Sequence, residues 1–284
     1  MHYYNDNDQY ACLVLQNLQD LGLIPRGKID DRDIQKVEAA DLDKFSQCHF
    51  FGGIAGWSEA LQIAGYSDIS GIWTGSCPCQ PFSGINKSRN RTTDTRHVWP
   101  ELYRLIEQCK PPIVFGEQVA GKDAMAWLCG VRNDLEKSGY AVGAAHLCAS
   151  TVGAPHLRPR LYWGAILADA YSKDDRICQA RSIAAEYKSK NNNEIYDNVA
   201  GYKRSDVPYR LAGLCENGRW NEYCIHKSMY DGQWRRTKPG TCVLANGISR
   251  RMDHGGQKLF GNAIVPPLGA FFIQSFFEAL NDAV

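Results

Sequence analysis

The stretch Gly75-Ser76-Cys77-Pro78-Cys79-Gln80-Pro81-Phe82-Ser83 follows an apolar run at Ile72-Trp73. A thiol held between Pro78 and Gln80, just past a short apolar run and a turn of small residues, reads as a reactive cysteine at the carboxyl end of a strand. Open α/β sheets place their sites at those ends. Upstream lies a glycine-rich turn, His49-Phe50-Phe51-Gly52-Gly53-Ile54-Ala55-Gly56-Trp57. Downstream an acid follows an apolar run at Ile113-Val114-Phe115-Gly116-Glu117-Gln118-Val119. A basic strand entry follows at Gly153-Ala154-Pro155-His156-Leu157-Arg158-Pro159-Arg160, and Gly261-Asn262-Ala263-Ile264-Val265-Pro266 lies near the C-terminus. Taken singly, each has a bland reading: Cys79 as a buried structural thiol, the glycines as ordinary strand–helix punctuation.

Apolar runs alternate with amphipathic stretches over the first 168 residues. Strands are expected at Cys48–Phe51, Gly71–Gly75, Ile113–Gly116, Tyr140–Cys148 and Leu161–Leu167. Helices are expected at Gly56–Ala64, closed by Gly65, at Val98–Gln108, stopped by Pro111-Pro112, and at Met125–Ser138, capped by Gly139. This alternation predicts an α/β fold with a doubly wound sheet. From Asp169 to Asn246 the pattern fails: the segment is polar, poor in aliphatics and rich in Arg, Lys, Tyr and Trp. The expected organisation is a catalytic domain at 1–168, a small separate domain at 169–246, and a segment at 247–284 whose Leu268–Leu280 helix packs back on the sheet.

Net charge is +1, so bulk charge does not announce nucleic acid, and a DNA-binding face has to come from local clustering. Eleven cysteines are scattered through apolar segments with no signal-peptide pattern, which points to a reducing cytoplasm. No apolar run is long enough for a membrane span. Cys77-x-Cys79 has the look of half a zinc site, but no second pair at ligand spacing accompanies it, so no metal is expected.

In order and spacing, these segments resemble the DNA cytosine-C5 methyltransferase family, whose patterns are a Phe-x-Gly-x-Gly-Gly turn, Pro-Cys-Gln, Glu-Asn-Val, Gln-x-Arg-x-Arg and Gly-Asn-x-x-Val. The departures are His49 for an Asp, Ala55 for a Gly, Gln118 for the Asn and His156 for the first Gln. The resemblance implies a Rossmann-like sheet using S-adenosylmethionine as methyl donor. The family normally places two strands between the glycine turn and Pro-Cys-Gln, and here there is no room for them. Tyr4-Asn5-Asp6-Asn7-Asp8-Gln9-Tyr10-Ala11 resembles the family's ribose-binding segment, and Gly27 through Asp33-Ile34-Gln35-Lys36-Val37 its adenine-binding one. The expectation is a permuted cofactor half at residues 1–47, its two strands preceding the glycine-turn strand. An unrelated N-terminal extension is the alternative.

Addition of a thiolate to C6 of cytosine turns C5 into a nucleophile toward an electrophilic methyl group. By resemblance Cys79 is that nucleophile, Glu117 the partner of N3, and Arg158 and Arg160 the supporting pair. Phe51, Gly53, Ile54, Gly56 and Pro78 are expected to line the cofactor. Asp6 would meet the ribose, with Asn7 beside it; Asp33 and Ile34 would meet the adenine. Asn262, Ala263 and Ile264 would close the methionine end. C6 is hidden in duplex DNA, so the base has to be flipped out. The loop with Ser83, Lys87, Arg89, Arg91 and Arg96 is expected to grip the backbone. Lys203, Arg204, Arg210, Arg219, Trp220, Trp234, Arg235 and Arg236 are candidates for target recognition. The expected partner is double-stranded DNA, met by a monomer in the cytoplasm of a prokaryote or phage host, with restriction–modification as the setting. An RNA cytosine methyltransferase and a catalytically silent DNA-binding homologue are the competing readings.

Overall fold

The computed structural model describes residues 1–78, 98–121, 123–152, 154, 158–168, 175–191 and 262–282, with the backbone of 224–227 and 234–237; within 175–191 and 262–282 side chains are described to 183 and 281. Seven strands form one sheet: β1 (His2–Asn5), β2 (Gly27–Asp30), β3 (Gln47–Phe50), β4 (Ile72–Gly75), β5 (Ile113–Val119), β6 (Tyr140–Cys148) and β7 (Pro159–Leu167). Their order is β2-β1-β3-β4-β5-β7-β6. The first five in that order run parallel, and β7 is antiparallel to both β5 and β6. Two further strands, β8 (Cys224–Lys227) and β9 (Trp234–Thr237), pair antiparallel with each other.

The central strands are buried on both faces, and their few polar side chains, among them Gln47, His49 and Thr74, are buried with them. Side chains alternate across the sheet. Ile113 and Phe115 enter one core cluster, and Val114 between them enters the other. The Val114 face is covered by α3 (Trp99–Cys109) and α4 (Ala124–Lys137), through Leu102, Leu105, Ile106, Leu128, Val131 and Leu135. The Phe115 face is covered by α2 (Gly56–Ala64) together with two later helices, α5 (Asp175–Asn191) and α6 (Pro266–Asp282). Leu268, Phe272, Ile273 and Phe277 of α6 are all buried there. Each is worth roughly 1.5–3 kcal/mol of transfer free energy, so the C-terminal segment is held firmly to the sheet. Helix α1 (Gln9–Asp20) lies against Tyr4 through Leu15.

β1 and β2 come first in the chain and lie beside β3 in the sheet, the strand order expected of a permuted cofactor half. The polar segment after Asp169, by contrast, does not leave the core at once. Ile177 and Ala180 of α5 are fully buried in the α6 layer, Tyr66 Oη donates to Ala180 O at 3.1 Å, and Asn281 and Arg181 exchange two hydrogen bonds. Residues 175–183 therefore belong to the sheet's outer layer rather than to a separate unit. No described helix is long and apolar enough to cross a membrane.

Candidate active site

The chain runs from β3 to β4 on one side of the sheet, while β1 and β2 lie on the other side of β3. The carboxyl ends of β1, β3 and β4 therefore flank a switch point, where open α/β sheets form a crevice. The glycine turn fills it with unusual backbone: Phe51, Gly53 and Ala55 all have positive φ, at 54°, 52° and 60°. Gly53 meets that need without strain. A Cβ there would approach only Phe51 O, at 3.9 Å, so the turn presents open backbone to a ligand.

Asp6, just past β1, is tied to this turn. Gly53 N donates to its Oδ2 at 2.8 Å, and Asp8 N to its Oδ1 at 3.0 Å. Asn7 sits exposed between them. Past β2, a buried ionic network holds the next loop. Arg32 donates to Asp30 through Nε (2.9 and 3.1 Å) and Nη2 (2.6 Å), and reaches Asp41 at 2.8 Å. Tyr3 Oη donates to Asp30 at 3.0 Å and Lys28 pairs with it at 3.0 Å. Burial pushes the Asp30 carboxyl up, but the hydrogen bonds from Arg32, Lys28 and Tyr3 outweigh it and hold the carboxyl well below its ordinary range. Asn5 Nδ2 adds bonds to Asp30 O and Arg32 O. The anchored loop carries Asp33, whose Oδ1 caps the short helical turn Ile34–Lys36. Asp30, Arg32 and Asn5 were not singled out from sequence; the run Asp30-Asp31-Arg32-Asp33 was the available signal.

Ile34 is 3% exposed and belongs to the core cluster that also holds Leu102 and Leu105. Gly56 is buried, and a Cβ on it would meet Ile264 Cγ1 at 2.8 Å. Gly56 and Ile264 thus serve each other, letting the segment before α6 seat on the start of α2. Pro78 is exposed at the end of β4, Phe51 and Ile54 are half-buried at the turn, and Asn262 and Ala263 lie at the entry to α6.

The candidate catalytic end of the site lies at the carboxyl ends of β4 and β5. Glu117 is 5% exposed, and Arg160 Nε stands 2.7 Å from its Oε1. That approach is a close ion pair without the in-line angle of a hydrogen bond. Burial raises the Glu117 carboxyl above its ordinary value; Arg160, Arg158 and a hydrogen bond from Ser76 pull against it without cancelling it. Arg158 has φ of 40° and donates through Nη2 to Ala263 O, which links the basic strand entry to the segment before α6. Gln118, also buried, donates to Cys77 O at 3.4 Å and accepts from Val119 N at 2.9 Å. It therefore holds the chain just ahead of Pro78-Cys79. Cys77 is buried and burial raises its thiol, so it is a poor source of thiolate.

Cys79, Ser83, Lys87, Arg89, Arg91 and Arg96 lie outside the described residues, as do Lys203, Arg204, Arg210, Arg219 and Trp220 and the side chains of Trp234, Arg235 and Arg236.

A doubly wound, mostly parallel α/β sheet thus carries a glycine turn, a buried acid and an arginine pair at its carboxyl edge. The model of C-5 cytosine-specific DNA methylases matches residues 2–217, and the chain belongs to that family. Type II methyltransferase M.MspI of Moraxella sp is 30% identical over 138 residues, covering 46% of this chain and 33% of the relative. Type II methyltransferase M.AluI of Cellulosimicrobium cellulans is 27% identical over 130 residues, covering 42% and 25%. The chain thus matches a third or less of the length of these relatives. Among solved structures, a DNMT2 variant of Spodoptera frugiperda superposes with a TM-score of 0.41 at 20% identity, covering 59% of this chain and 42% of that one. EhMeth of Entamoeba histolytica gives 0.40 at 20% identity, covering 58% and 44%.

Proposed function

We propose that this chain transfers a methyl group from S-adenosylmethionine to C5 of cytosine in double-stranded DNA, within a short recognition sequence. The observation that carries this reading is the convergence at one sheet edge. Gln118 holds the approach to Pro78-Cys79, the Arg160-paired Glu117 is buried next to it in sequence, and the open Gly53 backbone lies across the crevice. Asp6, Asp33 and the backbone at Phe51–Ile54 would hold the cofactor, which supplies an electrophilic methyl group. The fit rests on the open face at Gly53 and on the Asp6 carboxylate set beside it.

Cys79 adds as thiolate to C6 of a flipped-out cytosine. Glu117 meets N3, lending a proton as negative charge builds on the ring and taking it back once C5 has gained its methyl group; the C5 proton is then lost to water as the Cys79–C6 bond breaks and the thiolate leaves. Its raised proton affinity suits that exchange. Arg160 stands by the base carbonyl oxygen and steadies Glu117 from β7. Ser83, Lys87, Arg89, Arg91 and Arg96 supply cationic and polar groups for the DNA backbone, and the basic residues beyond 191, including Arg235 and Arg236, supply groups to read and hold the duplex. Incubating the protein with labelled methyl donor and either duplex DNA or transfer RNA tests the assignment. Label in DNA only is the expected result. Label in RNA only assigns the same chemistry to RNA, and label in neither, with cofactor bound, refutes the reading.

A further inference from the structure

Arg104 of α3 reaches out of its helix to a loop far away in the chain. Its Nη2 donates to Val37 O at 2.8 Å and to Ile34 O at 3.4 Å. Its Nε donates to Glu101 Oε2 at 3.2 Å, one turn back on the same helix. A guanidinium is planar, so fixing Nε sets the direction of the fork, and the two Nη2 protons serve the two carbonyls. Those carbonyls belong to the helical turn Ile34–Lys36 and to Val37, which caps its carbonyl end. The last carbonyls of a helical turn lack partners within it, and a cation there satisfies them. The amino end of the turn is capped by Asp33, whose Oδ1 accepts from Gln35 N at 3.0 Å. The direction of that carboxylate therefore follows the backbone of the turn. Arg32 holds the same turn from the β2 side, Nη1 donating to Lys36 O at 3.3 Å. Ile34 and Val37 are buried in one core cluster with Leu102 and Leu105 of α3, so the turn stays seated on the helix when the fork is removed.

We propose that Arg104 is a positioning residue for the methyl donor: by clamping the carbonyl end of this turn to α3, it fixes where the Asp33 carboxylate stands at the adenine. The inference rests on the reading that Asp33 meets the adenine.

Calorimetric titration of the full chain with S-adenosylhomocysteine, the demethylated cofactor, tests it without turnover. Arg104→Met keeps the apolar stem and removes the fork, and Kd should rise about tenfold for the lost charge-assisted hydrogen bonds. Arg104→Lys keeps the charge without the fork. It should bind about threefold more weakly than wild type, and it carries the test if Arg104→Met does not fold. Asp33→Ala should itself weaken binding, and adding Arg104→Met to it should cost little more, because both act through one carboxylate. In methyl transfer, Arg104→Met should raise KM for S-adenosylmethionine and leave kcat at saturating donor within about twofold. A merely structural loss would lower the active fraction, and so kcat, with KM unchanged. An unmoved Kd in the Arg104 variants beside weakened binding in Asp33→Ala overturns the proposal and leaves the adenine assignment standing. Full additivity in the double variant overturns it too. Unchanged binding in both Asp33→Ala and Arg104→Met overturns the adenine assignment and the proposal with it.

Discussion

Replacing Arg32 by Met keeps the side chain's length and removes its charge from a carboxylate that is 3% exposed. Removing one partner of a buried ion pair costs about 3–5 kcal/mol when the remaining charge is left uncompensated. Asp30 is not left bare here. Tyr3 Oη at 3.0 Å, Lys28 Nζ at 3.0 Å and the backbone N of residue 32 at 3.1 Å remain. Arg32 is itself about a third exposed, so part of its charge is already screened by water. The expected loss is therefore about 2 kcal/mol, or roughly 4–8 °C in melting temperature for a chain of this size. The sign with pH follows from the direction of the Asp30 shift. Its folded-state pKa is depressed, so the contribution is present above the ordinary carboxylate range near 4 and is lost as pH falls below it. Thermal melting of wild type and Arg32→Met should thus differ at pH 7 and converge in acid. Asp30→Asn with Arg32→Met should cost clearly less than the sum of the two single changes, because both remove one network. Additive losses, or a gap that does not depend on pH, would refute the network as drawn. Calorimetry on the same variants should show weaker cofactor binding by about tenfold, since the loop bearing Asp33 loses its anchor.

Burial holds the imidazoles of His2 and His49 neutral, pulling them down to about 4 and about 3. The unfolded chain, titrating near 6.5, binds more protons below that pH, so stability falls as pH drops from about 6.5 toward 4. Each group adds a slope of up to about 1.4 kcal/mol per pH unit, and chemical denaturation of His49→Asn should show a flatter profile than wild type. Gly56→Ala should cost about 1–3 kcal/mol by driving a methyl into Ile264, and adding Ile264→Ala should recover part of that loss in the same melting assay. Glu117→Gln preserves shape but cannot exchange a proton. It should slow single-turnover methyl transfer by about a hundred- to ten-thousand-fold while calorimetry finds cofactor affinity unchanged.

The architecture was largely legible because its punctuation is local. The α2 helix has the bounds read from Gly56 and the Gly65 cap, and β6 the bounds read from its apolar run. The placement of β1 and β2 beside β3 followed from the missing room between Phe51 and Pro78, an argument of chain length rather than pattern. Helix α5 was not legible, because Ile177 and Ala180 are isolated apolar residues in a polar sequence and their burial depends on α6, some ninety residues later. Within the candidate site, Glu117 stood out because it ends an apolar run, and the network around Asp30 did not. Asp30 and Arg32 look like part of a solvated acidic turn until Tyr3, from a different strand, is seen to close over them. The packing of Ile34 and Gly56 was equally out of reach: a sequence pattern gives position along the chain, not the direction in which a side chain points.

Bisulfite sequencing of DNA from a methylation-deficient host expressing this chain, beside a Cys79→Ala control, tests the central claim most directly. The account predicts protected cytosines in one fixed short context, absent from the control. Protection that survives in Cys79→Ala, or no protection from a folded, cofactor-binding protein, would contradict it.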